Sequence, residues 1–249
     1  MRGVLPTLPA GVRCEKDGPL LRVVGHFRGF VIAPRDLGPS GAGLDRLIVR
    51  QRDYFAARGE AVEWKTRAHD RPADLTDRLR AAGFVPGKPE TVLIGHAADT
   101  AREPVVPAGV ALRRVAEDAD IRRIAVMESS VWGMDWRPLH GFLNGQIAAA
   151  PDDIAVLVAE ADGQVVSAAW LVLSPGTAFA GLRGGTTVPA WRGRGIYRAL
   201  IAARARLAVA RGVEYLHVDA SEESAPTLRR LGFRAATTAT PWIWTPGDS

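Results

Sequence analysis

The amino-acid sequence predicts an α/β protein with a mixed β-sheet. Three strand-like segments, 154–160, 165–173 and 178–188, are separated by short polar turns, a pattern typical of an antiparallel meander. From Gly195 the apolar period becomes helical, and another strand-like segment follows at 213–219. A strand that is reached from the meander through a helix is expected to pair in parallel with its last strand, which makes the sheet mixed.

The composition narrows the class of protein. The chain has 249 residues, 47% of them hydrophobic and 24% charged, and no apolar run approaches the roughly 20 residues that span a bilayer. The start lacks the apolar stretch of a secretory signal and Cys14 is the single cysteine, so we expect a cytoplasmic protein. The net charge is +5, but no basic tail, zinc-ligand spacing or RNA-binding aromatic motif accompanies it. We therefore expect no membrane, nucleic-acid or metal partner.

A proline-containing segment predicts a domain boundary. Pro104 and Pro107 interrupt any regular element, and the apolar patterns on either side do not continue across them. We therefore expect two domains, residues 1–103 and 104–249, called below the first and second halves.

Two segments of the second half precede the meander. Residues 110–115 are predicted to form a strand, and 118–130 to form a helix with one apolar face. Residues 132–142 fit neither pattern.

The elements after the meander complete the predicted second half. The helix that begins near Gly195 has one apolar stripe, with Arg204 and Arg206 expected at its flanks. A short helix to Leu231 and a last strand through 242–244 then finish the domain.

The turn before that helix has the features of an anion-binding site. It reads Arg192-Gly193-Arg194-Gly195-Ile196-Tyr197 and lies between a predicted strand and a predicted helix. The first amides of a helix have no intrahelical acceptor, and the helix dipole adds partial positive charge. Glycines let a phosphate approach the backbone, and the two arginines add charge. The residues alone thus predict a ligand that carries phosphate.

This segment resembles the coenzyme-binding motif of the GNAT superfamily of N-acetyltransferases, Gln/Arg-x-x-Gly-x-Gly/Ala. Arg192 and Gly195 match the motif, whereas Tyr197 replaces its small last residue. The resemblance extends over about 107–249, because the meander, the motif helix, the following strand and the Leu228–Phe233 ending occur in the family's order.

The resemblance implies a fold and a cofactor. A GNAT domain binds acetyl-CoA as co-substrate, with the pantetheine arm paired to backbone near Thr187 and Val188, where two parallel strands separate. The pyrophosphate would then rest on residues 193–197.

The family's reaction is a direct attack of a free amine on the thioester, which requires a proton acceptor. No carboxylate occurs on the third meander strand, where many relatives carry their base, and Leu228 replaces the tyrosine that protonates the departing thiolate. Ser221 or Ser224 could instead hydrogen-bond the sulfur. The candidate bases are Glu128, Asp135, His217 and Asp219, each of which could equally be structural.

The first half resembles a degenerate internal repeat of the second. Gly41-Ala42-Gly43-Leu44 precedes a matching apolar stripe, and Leu79–Phe84 parallels Leu228–Phe233. However, Ser40 and Asp45 stand where the second half has Arg192 and Tyr197, and a carboxylate beside a pyrophosphate would repel it. We expect a truncated, degenerate GNAT-like domain that supports the second half or shapes its acceptor site.

The sequence therefore predicts an N-acetyltransferase that transfers the acetyl group of acetyl-CoA to a primary amine of a small molecule or peptide, as a monomer or homodimer. Two alternatives stay open. One is a catalytically inactive acyl-CoA-binding regulatory or assembly protein, and the other is a transferase that uses another acyl-CoA.

Overall fold

A computed structural model describes residues 7–247, which form one mixed sheet of twelve strands with α-helices packed against it. The strands are β1 Arg13–Asp17, β2 Leu20–Val24, β3 Gly29–Ile32, β4 Val62–Arg67, β5 Val85–Pro86, β6 Glu90–His96, β7 Ala111–Val115, β8 Ile154–Ala161, β9 Gln164–Leu173, β10 Phe179–Thr187, β11 Tyr215–Ala220 and β12 Arg234–Trp244. The helices are α1 Gly41–Ala56, α2 Leu75–Ala81, α3 Ala97–Thr100, α4 Asp118–Trp132, α5 Arg137–Ala149, α6 Ile196–Ala210 and α7 Ala225–Arg230.

The predicted meander and crossover are confirmed. β8, β9 and β10 pair in antiparallel order, and β11 pairs in parallel with β10 after the α6 crossover. The unassigned segment 132–142 spans the end of α4 and the start of α5. Gly133 ends α4 in the left-handed conformation, with φ +65°, and Pro138 lies in the first turn of α5. The two helical periods are out of phase across this junction, so no single pattern fits the segment.

The last strand is not where the sequence analysis placed it. β12 lies between β4 and β6 and is antiparallel to both, whereas β6 pairs with β11. In the internal repeat β4 corresponds to β11, and β6 to β12. Each half therefore places its last strand beside the other half, and the two exchanged strands pair with each other. Hydrophobic patterning identifies a strand but does not specify its neighbour, which explains the wrong expectation.

The exchanged strand is part of the first half's core. Trp242 of β12 is buried in the apolar cluster formed by α1, α2 and β4, and its indole N–H donates to the Thr66 hydroxyl at 3.1 Å. The predicted α1 stripe is confirmed in the same cluster, where all four of its members are buried. They are Leu44, Leu47, Ile48 and Phe55. In the second half, one core lies beneath α6 and another beneath α4 and α5.

We expect neither half to fold alone, because each lacks the strand that the other supplies. Residues 1–103 and 104–249 expressed separately should be insoluble or molten, whereas their co-expression should yield a soluble 1:1 complex. Unpaired strand edges are prone to aggregation, which is the physical reason. Size-exclusion chromatography and near-UV circular dichroism measure both outcomes. A separately folded, monomeric 104–249 would show that β12 can return to its own half, and it would contradict the prediction.

Candidate functional site

The site begins where two parallel strands separate. β10 and β11 pair from Phe179–Gly181 to Tyr215–His217, and no further pair follows although both strands continue. The sheet therefore has an opening between β10 and β11 beyond Gly181, in the direction of the start of α6. Thr187 and Val188 line the β10 edge, and both are tied to β9: the Ser167 hydroxyl hydrogen-bonds with the Thr187 hydroxyl at 2.9 Å, and the Val188 N–H donates to Val166 C=O at 2.9 Å. On the side of the loop, the Thr187 C=O accepts from the Arg192 Nε–H at 3.0 Å and the Val188 C=O from the Trp191 N–H at 2.9 Å.

A β-bulge lies in β10 at this opening. The pairing register with β9 shifts between Gly184 and Thr186. Gly184 and Gly185 have φ of +65° and +99°, a region that favours glycine. A Cβ on Gly184 would lie 2.5 Å from the Trp170 ring, and one on Gly185 would lie 2.7 Å from the Tyr197 ring. The paired glycines therefore permit both the bulge and the close approach of two aromatic rings.

The Arg204 side chain, on α6, holds the bulge in place through hydrogen bonds to β9 and β10. Its side chain is 1% exposed, and its guanidinium donates to the carbonyls of Trp170 at 3.3 Å and Arg183 at 3.0 Å. Burial lowers the pKa of Arg204 to about 10, which leaves it charged at neutral pH. The expectation that Arg204 flanks the apolar stripe of α6 is wrong. Its long side chain reaches backbone carbonyls on the adjacent strands β9 and β10. The helical period of the sequence does not reveal such a contact.

The predicted anion-binding loop leads into α6. Gly195 has φ +90° and precedes the helix, whose first recorded intrahelical bond runs from Ala199 N–H to Gly195 C=O at 3.0 Å. The amides ahead of Ala199 therefore lack intrahelical acceptors and can bind an anion. A Cβ on Gly193 would meet open space. The Arg192 Nε–H donates to Thr187 C=O at 3.0 Å, so this arginine ties the loop to the end of β10.

A basic cleft of about 620 Å³ adjoins the loop. Arg194 lies at its edge, and its guanidinium stacks 4.6 Å from the centre of the Trp191 ring. The cleft contains four arginines against two acidic residues, which suits a polyanionic ligand. These charged residues are Arg102, Arg194, Arg198 and Arg230, with Asp99 and Glu103.

Tyr197 spans the opening, a role that the sequence did not suggest. Its ring rests on Gly185, and its hydroxyl lies near Ser224 at the start of α7. Burial raises the pKa of the Tyr197 hydroxyl, so it keeps its proton at neutral pH. Because Gly185 has no side chain, the Tyr197 ring fits at a position where the motif has a small residue. Leu228, by contrast, is buried in the apolar core.

Glu128 is the candidate base nearest to the bulge. It is 3% exposed and accepts a hydrogen bond from the Trp132 indole at 2.8 Å, and the same indole N–H lies 3.3 Å from the Thr186 hydroxyl of β10. Its second carboxyl oxygen is buried without a hydrogen-bond partner. Burial raises the pKa of Glu128, and a raised pKa makes its carboxylate a stronger base.

His217 and Asp219 lie on the same face of β11, but only His217 lines a cavity. Burial, followed by the charge of Arg183, lowers the pKa of His217 to about 4, so its imidazole is neutral at pH 7. Asp219 lies 3.1 Å from Lys65 and 3.9 Å from Arg67. Burial opposes its ionisation, yet the neighbouring cations hold the pKa of Asp219 below its usual value. Asp219 is therefore committed to ion pairs.

Asp135 and Ser224 complete the sequence candidates. Asp135 forms an exposed ion pair with Arg137 at 2.8 Å, and these hydrogen bonds lower the pKa of Asp135 to about 2, which leaves it a weak base. Ser224 hydrogen-bonds with Ser221 and lies near Tyr197 at the far side of the opening. The catalytic roles of all five candidates stay predictions.

In the first half, the side chain of Arg78 occupies the site equivalent to the anion-binding loop. Arg78 donates to Gly41 C=O at 3.2 Å and to the Asp45 carboxylate at 2.6 Å, at the start of α1. Beyond the short β3–β4 pairing, Asp36 and Arg71 form a further parallel bridge, which closes this strand pair again. The first half therefore has neither the free loop nor the open strand pair of the second.

Comparison with known proteins identifies the class. The model of the Acetyltransferase (GNAT) family matches residues 119–233, which contain the meander, the opening and the anion-binding loop. Residues 119–233 belong to this family, and the protein is an acyltransferase that carries a GNAT domain. No match was found among the curated proteins.

Several solved structures share the fold over nearly the whole chain. A GCN5-related N-acetyltransferase from Kribbella flavida is 20% identical with a TM-score of 0.69, and the match covers 95% of this chain and 90% of that one. One from Sphaerobacter thermophilus is 19% identical with a TM-score of 0.64, covering 94% and 83%. A tandem GNAT protein from the clavulanic acid biosynthesis pathway is 16% identical with a TM-score of 0.61, covering 97% and 85%. At these identities the likeness establishes the fold.

The described residues contain neither a membrane-spanning helix nor a cluster of metal-ligating side chains. Between residues 7 and 247, no helix has both the length and the hydropathy needed to cross a bilayer. Over the same range, no cluster of three or more His, Cys, Asp and Glu side chains is arranged to hold a metal ion.

Proposed function

We propose that the protein transfers the acetyl group of acetyl-CoA to the primary amine of a small-molecule acceptor. The observation that carries this proposal is the opening between β10 and β11, which has a β-bulge on one edge and the anion-binding loop at its end. A pantetheine arm can lie along the end of β10 at Thr187 and Val188, inside this opening, while the pyrophosphate takes the amides of residues 193–197.

In this proposal Glu128 accepts the proton of the attacking amine. An alkyl ammonium with a pKa near 10.4 is deprotonated only about once in 10³ at neutral pH, so a base must assist. Glu128 is buried beside Thr186 at the bulge, has a free carboxyl oxygen and has a raised pKa. It therefore supplies, from α4, the carboxylate that the third meander strand lacks.

The hydroxyls of Tyr197 and Ser224 are proposed to protonate the departing thiolate. The two hydroxyls lie near each other at the opening, where the thioester sulfur would lie. The pair would replace the tyrosine that is absent at Leu228.

The first half is proposed to be non-catalytic. The Arg78–Asp45 ion pair occupies the position that a pyrophosphate would need there. The half instead contributes strand β6 and one wall of a cavity that faces β10 and β11.

The test is an acceptor-dependent thiol-release assay with acetyl-CoA and a panel of primary amines, with the acetylated products identified by mass spectrometry. Thiol release without amine supplies the background rate. We expect acceptor-dependent release above that background and a product heavier by one acetyl group. Running the same panel with propionyl-CoA and malonyl-CoA measures the acyl preference.

The other outcomes are equally informative. Saturable binding of acetyl-CoA without turnover of any amine would instead identify an acyl-CoA-binding regulatory protein. Faster turnover of a longer acyl-CoA would identify another acyl donor.

A further inference from the structure

A second cavity, separate from the arginine-lined cleft at the loop, lies between the two halves. Its volume is about 560 Å³, within the range of roughly 300–1,000 Å³ that small-molecule sites occupy. The second half contributes Phe179, Arg183 and His217 of β10 and β11, together with Ala236 and Thr237 of β12. The other walls are first-half residues on or next to β2, β3, β4 and β6.

This inter-half cavity lies beside the proposed reaction centre. Arg183 precedes the bulge by one residue and stands opposite Trp170 of β9, whose ring packs in the core beneath α4 and α5. Cross-strand partners share one face of a sheet. The Arg183 side chain is therefore on the face covered by α4, the helix that carries Glu128.

The first half closes over this face. His26 and Phe27, between β2 and β3, pack against Phe142 of α5 with ring centres 5.0 and 6.4 Å apart. A contact between a first-half turn and a second-half helix limits the space available beside β10. A small acceptor fits a cleft of this volume better than a protein chain does.

The charged side chains that line the cavity are arginines. Arg35, Arg67 and Arg183 reach it, and no carboxylate of residues 7–247 belongs to its lining. Asp219 lies behind the lining, with Arg67 at 3.9 Å and Arg183 at 4.0 Å, too long for hydrogen bonds. Lys65 pairs with Glu90 at 2.9 Å and with Asp219 at 3.1 Å, so the cluster of Lys65, Arg67 and Arg183 has one more cation than its two carboxylates.

One of these arginines has an unused donor. The Arg67 Nη1 atom is buried and has no hydrogen-bond partner. A buried donor without an acceptor costs about 1–3 kcal/mol, more for a charged group, and the Asp219 carboxylate at 3.9 Å is too distant to satisfy this one. Guanidinium groups pair most specifically with planar, two-oxygen anions such as carboxylates.

We propose that the acceptor is a small amino-carboxylic acid whose carboxylate binds Arg67 and Arg183 in the inter-half cavity. Its apolar body contacts Leu21, Ile32, Val92, Ile94 and Phe179, which form the uncharged part of the lining. The inference rests on the proposed acetyl transfer, to which it adds the class of acceptor. It excludes polyamines and other polycations, because a cavity with excess positive charge repels them.

Isothermal titration calorimetry with a matched product pair tests this inference without relying on catalysis. N-acetylleucine and N-acetylleucinamide differ only in the carboxylate, and neither contains a titratable amine. We expect N-acetylleucine to bind at least about tenfold more tightly, the contribution of one charge-assisted hydrogen bond. The Arg183→Gln variant should reduce that ratio to near one, whereas Arg122→Gln, which removes an exposed arginine on α4 outside the cavity, should preserve it.

Several results would overturn the inference. They are equal affinities for the two ligands, saturable binding of neither, a ratio that Arg183→Gln leaves intact, and tighter binding of inorganic phosphate than of N-acetylleucine. The thiol-release assay fails independently if acetyl transfer itself is wrong. Turnover of spermidine in preference to leucine would retain the proposed function and reject the anionic acceptor.

Discussion

Replacing Glu128 with glutamine is expected to lower kcat for acetyl transfer by about 10²- to 10⁴-fold, the usual contribution of a general base. The amide keeps the size of the side chain and can still interact with the Trp132 and Thr186 groups, but it cannot accept a proton at neutral pH. The affinity for acetyl-CoA should remain unchanged. Steady-state kinetics and calorimetry measure the two quantities separately.

The pH profile distinguishes a base from a structural carboxylate. Because burial raises the pKa of Glu128, the wild-type rate should fall as the pH drops through that raised pKa, where the carboxylate becomes protonated. The Glu128→Gln variant should lose this acidic limb. Glu117→Gln, which changes an exposed glutamate at the start of the same helix, is the matched control. Unchanged kcat and an unchanged acidic limb in Glu128→Gln would assign the proton transfer to another group, with His217 the next candidate.

Replacing Gly195 with aspartate is expected to weaken acetyl-CoA binding by more than about 100-fold. The carboxylate would stand at the start of α6, beside the amides proposed to bind the pyrophosphate. Two unit charges about 5 Å apart repel by about 3 kcal/mol at an effective dielectric constant near 20, which corresponds to that loss. Aspartate tolerates the left-handed backbone at this position better than most residues, so the fold should survive. Calorimetry gives the dissociation constant, and circular dichroism checks the fold.

The first half provides a matched control for this variant. Gly43 is the counterpart of Gly195 in the internal repeat, and a Cβ added there would meet only Pro39 at 3.7 Å. Gly43→Asp adds the same charge to the chain and should leave acetyl-CoA binding intact. If Gly43→Asp abolished binding and Gly195→Asp did not, the coenzyme would bind in the first half, contrary to the proposal.

The sequence by itself determined much of the local structure and predicted where the proposed coenzyme site lies. Period-2 and helical patterns located the meander, α6 and α1, because burial of one face requires that spacing whatever the neighbour. The Gly193–Gly195 turn was recognisable because a helix start with free amides needs residues without a Cβ. The paired glycines at 184 and 185, inside a strand, were a visible sign of the bulge that the sequence analysis did not use.

The tertiary structure decided which elements meet. The exchange of β6 and β12, the burial of Arg204 beneath the bulge and the proximity of Tyr197 to Ser224 each join residues that are distant in sequence or on different elements. The same holds for Glu128 at the bulge, which the sequence could only rank equally with Asp135, His217 and Asp219. Local patterns record whether a side chain is buried, whereas its partner depends on strand order and on contacts between elements, which periodicity does not encode.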